Sequence, residues 1–136
     1  MSYISPFLRR LVIRRAESRC EYCGLSQAGQ EATFHIDHIV PLSLDGKTVA
    51  DNLALACVSC SLRKSARIAF IDPDTGIEAL LFNPRQNVWD DHFVWEGTRL
   101  IGLTSTGRTT IAALDLNRAL ILAIREEEVK LGRHPG

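Results

Sequence analysis

Residues 34–42 read FHIDHIVPL, placing two histidines and an aspartate within four residues among Phe, Ile, Ile, Val and Leu. A strand alternates its faces with a period of two, so His35 and Asp37 share one face and Phe34, Ile36 and His38 the other. Asp37 and His38 converge on one point only where the backbone bends. Pro41, which cannot donate to a ladder, marks a strand end close by. A carboxylate beside an imidazole at a strand end has the makings of a cation ligand and a base. It is also the composition of an ordinary hydrogen-bonded turn, so the surroundings must decide.

Four cysteines supply those surroundings. They occur as CEYC (Cys20, Cys23) and CVSC (Cys57, Cys60), two C-x2-C pairs separated by 33 residues. Each pair makes a tight turn that aims two sulfurs at one point, and two turns complete a tetrahedron, the arithmetic of a tetrathiolate zinc site. Redox CxxC pairs and buried free thiols are the competing readings; the first usually accompanies a βαβ pattern, which is not apparent here. A closed site of four thiolates leaves no position open for water or substrate, so its zinc is structural and chemistry belongs elsewhere.

The elements that would position these groups can be read from local pattern. Ser5-Pro6 opens a helix reaching Ala16 or Ser18, with Ser as N-cap and Pro in the first turn. Its Arg10 and Arg14 stand one turn apart on a common face, open to a reading as a solvated face or as a phosphate contact. A strand spans about Thr33 to Val40, a loop with the Asp45-Gly46 turn follows, and NLALAC from Asn52 forms a second strand. From Ser59 or Ser61 the pattern turns helical through SLRKSARIAF, with Leu62, Ala66, Ala69 and Phe70 spaced for one face. Strand, loop, strand and helix make a ββα unit with the cysteines at its two ends. Beyond Phe70 the expected elements are a strand over Ile77 to Phe82 and two strands over Val88 to Trp95 and Thr98 to Leu103. A short helix over Thr109 to Leu114 and a last helix over Arg118 to Lys130, capped by Asn117, complete the pattern. Trp89, Phe93 and Trp95 are expected on one strand face, and Glu126, Glu127 and Glu128 in solvent.

The totals bound the function. The chain has 136 residues, 46% of them hydrophobic, and a formal net charge of zero, which argues against a basic coat for nucleic acid. The balance is uneven: residues 1–70 carry nine Lys/Arg against six Asp/Glu (+3), and residues 71–136 seven against ten (−3). The basic half holds the polar cluster, which suggests an anionic partner there. The N-terminal MSYISPFLRRL lacks the apolar core of a signal peptide, and the longest apolar run, Ala119 to Ile124, cannot cross a bilayer. The expectation is a cytoplasmic protein with no membrane segment; its oligomeric state is open.

The motifs in order, CEYC, HIDHIVP, a loop with Gly46, NLALACVSC and LRKS, resemble the HNH endonuclease family, with the matching core running from Cys20 to Lys64. Stretches such as LFNPRQNVWDDHF and GLTSTGRTT are similar to small stand-alone bacterial HNH proteins. The resemblance implies an α+β single domain over residues 1–136. Its ββα-metal core would span 20–70, with an N-terminal helix before it and a β-plus-helix extension over 71–136 packed on it. It implies that Asp37 binds one divalent cation, magnesium or manganese, and that His38 is the general base. Asn52 would hold the loop and orient His38, and Lys64 with Arg63 would contact the DNA backbone. The family usually carries His or Asn directly after the last cysteine as a second ligand to the catalytic cation. Here that position is Ser61, a poorer ligand that could act through water, and His35 is either a support or its substitute. The implied function is a divalent-metal-dependent DNA endonuclease. The alternative is a catalytically inactive, zinc-stabilised nucleic-acid-binding module.

Overall fold

The computed structural model describes residues 3–136, which divide between Ile68 and Ala69 into two compact units. The first begins with α1 (Pro6–Arg15). Ser5 caps it, its Oγ accepting the Leu8 N–H at 3.1 Å. β1 (His35–His38) and β2 (Leu53–Ala56) pair antiparallel, with His35 opposite Ala56 and His38 opposite Leu53. α2 (Val58–Lys64) follows directly.

β2 is the centre of this unit. All four of its residues are buried, as continuous apolar strands between two layers must be. One edge of β2 pairs with β1. Beyond that pairing, the Leu55 carbonyl accepts the Glu21 N–H at 2.8 Å and the Leu55 N–H donates to Glu21 Oε2 at 2.9 Å. Arg15 on α1 donates to the Leu53 carbonyl at 2.7 Å. The first cysteine turn and the N-terminal helix are thus both hydrogen-bonded to the strand that leads into the second cysteine turn.

α2 is shorter than its apolar spacing predicts. It stops at Lys64 because Ser65 takes a positive φ of 52°. Ala69 and Phe70, expected in that helix, lie in a strand of the second unit instead.

The second unit consists of two hairpins and three helices. β3 (Ala69–Ile71) pairs with β4 (Glu78–Leu80), and β5 (Phe93–Glu96) with β6 (Arg99–Gly102), both antiparallel. α3 (Trp89–His92) is a single helical turn, so Trp89 precedes β5 rather than lying on it. The aromatic cluster forms across that bend: the Trp89 ring lies 5.1 Å from Phe93 and 5.6 Å from Trp95.

α4 (Ser105–Leu114) starts four residues before the expected helix, because Thr104 caps it through Oγ1 to the Gly107 N–H at 3.0 Å. It packs on β6 at glycine contacts: a Cβ on Gly107 would meet the His92 carbonyl oxygen at 2.2 Å, and one on Gly102 would meet Arg108 N at 2.6 Å. α5 (Ala119–Lys130) has no side-chain cap. Asn117, expected in that role, instead brackets Leu100 on β6, accepting its N–H and donating to its carbonyl, both at 2.8 Å. Glu128, expected in solvent, is 3% exposed and pairs with Arg133 at 2.5 Å. Among the described residues, no helix is long and apolar enough to cross a membrane.

Candidate functional site

The cysteines come together as a closed cluster. One sulfur from each of Cys20, Cys23, Cys57 and Cys60 lies within 4.8 Å of the others, and all four residues are buried. Tetrahedral zinc with bonds of about 2.3 Å places its sulfurs about 3.8 Å apart. Cys23 and Cys57 Sγ, one from each turn, are already 3.7 Å apart. Each turn is set by its own backbone: the Cys23 N–H points at Cys20 Sγ at 3.5 Å, and the Cys60 N–H at Cys57 Sγ at 3.4 Å. Gly24 closes the first turn at φ 80°, a conformation that favours glycine. Hydrogen bonds from Cys20, Cys23 and Cys60 hold the Cys57 thiol far below its ordinary range. Bonds to Cys20 and then to Cys57 push Cys23 up, and bonds to Cys20, Cys23 and Cys57 push Cys60 up. The four-thiol donor set, gathered within 4.8 Å, suggests a tetrathiolate zinc site.

Asp37 and His38 stand at the end of β1, on opposite faces. Asp37 is 8% exposed and receives two donors. Tyr22 Oη donates to Oδ2 at 2.8 Å, and Lys64 Nζ stands 3.2 Å from Oδ2 and 3.5 Å from Oδ1. Burial pushes the Asp37 carboxyl above its ordinary value, while Lys64, Tyr22 and His38 pull the other way. Burial, then the Asp37 charge, raises the Tyr22 phenol, so it stays a donor. Tyr22 sits between the two cysteines of the first turn, and Lys64 on the helix that begins in the second. Each cysteine turn therefore sends one donor to the same carboxylate.

His38 is held by the loop. Its Nε2 shares a hydrogen bond of 2.9 Å with Thr48 Oγ1. Asn52 fixes that loop at three points. Its Oδ1 accepts the Val40 N–H at 2.9 Å, and its Nδ2 donates to the Val40 carbonyl at 3.0 Å and to the Lys47 carbonyl at 2.9 Å. The loop closes tightly enough that a Cβ on Gly46 would meet the Val40 carbonyl oxygen at 1.7 Å, which requires glycine there. Asp37, His38 and Ser61 line one open cavity of about 340 Å³.

Lys64 requires a correction. Expected at the phosphate, it is 1% exposed, and its ammonium is engaged by Asp37 and by the His38 carbonyl at 3.1 Å. Arg63, beside it, is exposed, with Nε donating to Ser59 Oγ at 3.2 Å. Arg10 and Arg14 are exposed on α1. Ser61 is half-buried, and its Oγ lies 2.9 Å from Nδ1 of His35.

Sequence reasoning missed Tyr22 and Thr48 and turned Lys64 the wrong way. For Lys64 the signal was present. Cys57, Cys60, Ser61 and Lys64 follow i, i+3, i+4, i+7, so the inward cysteines fix the face on which Lys64 lies. For Tyr22 and Thr48 no local signal exists, because their partners are distant in the chain.

A polar cavity beside a four-cysteine cluster, on a strand–loop–strand–helix frame, defines a ββα-metal arrangement. Residues 20–67, about a third of the chain, match the HNH endonuclease family model. The first unit carries this HNH segment, and the match points to nuclease chemistry on nucleic acid. No curated protein matches the chain.

Proposed function

We propose that the protein is a divalent-metal-dependent DNA endonuclease in which His38 is the general base. One observation carries the reading. His38 stands at the wall of an open cavity, next to a carboxylate, with its Nε2 tied to Thr48 in a loop clamped by Asn52. A catalytic imidazole needs one nitrogen fixed so that the other is aimed and in a defined tautomer. Thr48 supplies the fixed end, and Nδ1 is left to take the proton from the attacking water.

Asp37 fits a hard cation. Its Oδ2 takes the Tyr22 hydroxyl and the closer Lys64 contact, while Oδ1 has only the 3.5 Å approach of Lys64 and keeps acceptor capacity. Magnesium or manganese held there supplies charge neutralisation at the phosphate and at the leaving oxygen. Asn52 keeps the loop, and with it His38, in place. Exposed Arg63 contacts backbone phosphate, and Arg10 with Arg14 extends that contact along α1. Zinc on the four cysteines holds the frame and takes no part in hydrolysis.

The pairing of Asp37 with Lys64 favours one second reading. An ammonium already neutralises the carboxylate, as it would in a binding module that does not cleave. Supercoiled-plasmid cleavage with magnesium, manganese or nickel against EDTA separates the two. Nicking or cutting that needs the added metal, and is lost in zinc-loaded His38→Ala, is the expected result. Salt-sensitive DNA binding by a zinc-loaded protein that cleaves in none of the metals would establish the binding module instead.

A further inference from the structure

β1 and α2 meet residue against residue. His35 and Asp37 are two apart on one strand face, and Ser61 and Lys64 are three apart on one helix face. Contacts pair them in order: His35 Nδ1 with Ser61 Oγ at 2.9 Å, and Asp37 Oδ2 with Lys64 Nζ at 3.2 Å. Two residues of strand span about 6.8 Å, and helix neighbours three apart stand about 5–6 Å apart. The two pairs are therefore adjacent on one seam.

Their surroundings differ. Asp37 and Lys64 are buried, at 8% and 1% exposed, while His35 is exposed and Ser61 is half-buried. Ser61 and Asp37 line the same open cavity. The His35 imidazole is thus held by the hydroxyl of Ser61, a residue that lines the same cavity as Asp37.

Charge sharpens the point. Asp37 and Lys64 together carry no net charge, so charge alone gives a divalent cation little reason to stay. A neutral nitrogen ligand holds a transition ion by coordination rather than by charge. The geometry points to His35 as a second protein ligand, through a ring nitrogen, for the cation at Asp37, with Ser61 positioning the ring. This rests on the nuclease reading and deepens it. A carboxylate-plus-imidazole site prefers manganese, cobalt or nickel over magnesium, because magnesium takes oxygen ligands and keeps its waters. Ser61 then acts as the outer partner that orients a ligating histidine.

The test uses full-length, zinc-loaded protein and manganese alone as the probe. Pulsed electron paramagnetic resonance of bound Mn2+ detects imidazole nitrogen coupling directly, without turnover. The wild-type protein is expected to show that coupling, and His38→Ala to keep it. His35→Ala is expected to lose the coupling and to bind Mn2+ at least about tenfold more weakly, with zinc content and circular dichroism unchanged. Ser61→Ala should keep the coupling and weaken Mn2+ binding. Coupling that survives in His35→Ala overturns the assignment. So does wild-type Mn2+ binding without nitrogen coupling; if plasmid cleavage then still needs metal and His38, the nuclease reading stands without this ligand. A wild-type protein that neither binds Mn2+ nor cleaves DNA overturns both.

Discussion

At the residue scale, the polar groups of this site depend on one another across long stretches of sequence. Lys64 is a buried ammonium whose partners, Asp37 and the His38 carbonyl, come from a different element. Taking two charges out of water is costly, and breaking such a pair from one side leaves the other charge buried and uncompensated. Lys64→Ala is therefore expected to destabilise the protein by about 3–5 kcal/mol, read from urea unfolding. Adding Asp37→Asn to that variant should recover a large part of the loss. If Lys64→Ala unfolds like the wild type, the ammonium is not holding the carboxylate. Tyr22 acts on the same carboxylate more gently. Tyr22→Phe removes one hydrogen bond to a charged group, worth about 1.5–3 kcal/mol, and leaves the ring in place.

At the scale of elements, the loop between β1 and β2 is the part most sensitive to change. Asn52 makes three of its hydrogen bonds, and Gly46 lies where no Cβ fits. Asn52→Ala removes all three of these hydrogen bonds to the loop backbone and frees the segment that carries Thr48. It is expected to retain zinc and to cut plasmid cleavage by at least about a hundredfold, since a small misplacement of a catalytic group is costly. Cleavage within a few-fold of wild type would show that the loop does not position His38. Local pattern revealed much at this scale. The cysteine spacing, the Ser5 cap and the strand–loop–strand–helix order are all written in short-range sequence. It failed where a long-range contact or a backbone break intervened. Ala66, Ala69 and Phe70 continue the helical spacing past Lys64, but Ser65 has already left the helix at φ 52°. Asn117 looks like a cap because Asn often is one, yet the Leu100 backbone of β6 claims its side chain. In the site itself, residue types in HIDHIVP announced chemistry, while the Tyr22, Lys64 and Thr48 contacts arise only once distant segments meet.

At the scale of the whole molecule, the two units have different supports and are expected to fail under different conditions. The first is closed around four cysteines, and metal binding to such a site is folding free energy. Stripping the metal with a strong chelator at neutral pH should reduce the far-ultraviolet circular dichroism of the first unit. Both tryptophans, Trp89 and Trp95, lie in the second unit, so their fluorescence should change little. The second unit rests partly on Asp72, which is fully buried. It accepts Ser105 Oγ at 2.7 Å and both Arg108 Nε, at 3.2 Å, and a terminal guanidinium nitrogen, at 2.9 Å. The Arg108 hydrogen bonds, then that from Ser105, hold its carboxyl well below the usual range. Because the folded-state value lies below the unfolded one, this stabilisation is fully present above the ordinary carboxylate pKa of about 4 and is lost as pH falls below it. Acid titration followed by tryptophan fluorescence should show that loss. Asp72→Asn should be less stable at neutral pH and should depend less on pH between about 5 and 2. An unchanged acid transition in that variant would mean that Asp72 contributes nothing to it.

The most direct measurement of the proposed role of His38 is chemical rescue of His38→Gly. The variant, zinc-loaded and folded, is assayed for manganese-dependent plasmid cleavage with and without added imidazole. If His38 is the base, the variant should be inactive alone and should regain part of its activity as imidazole fills the space left by the side chain. Cleavage by His38→Gly at the wild-type rate without imidazole would contradict that role.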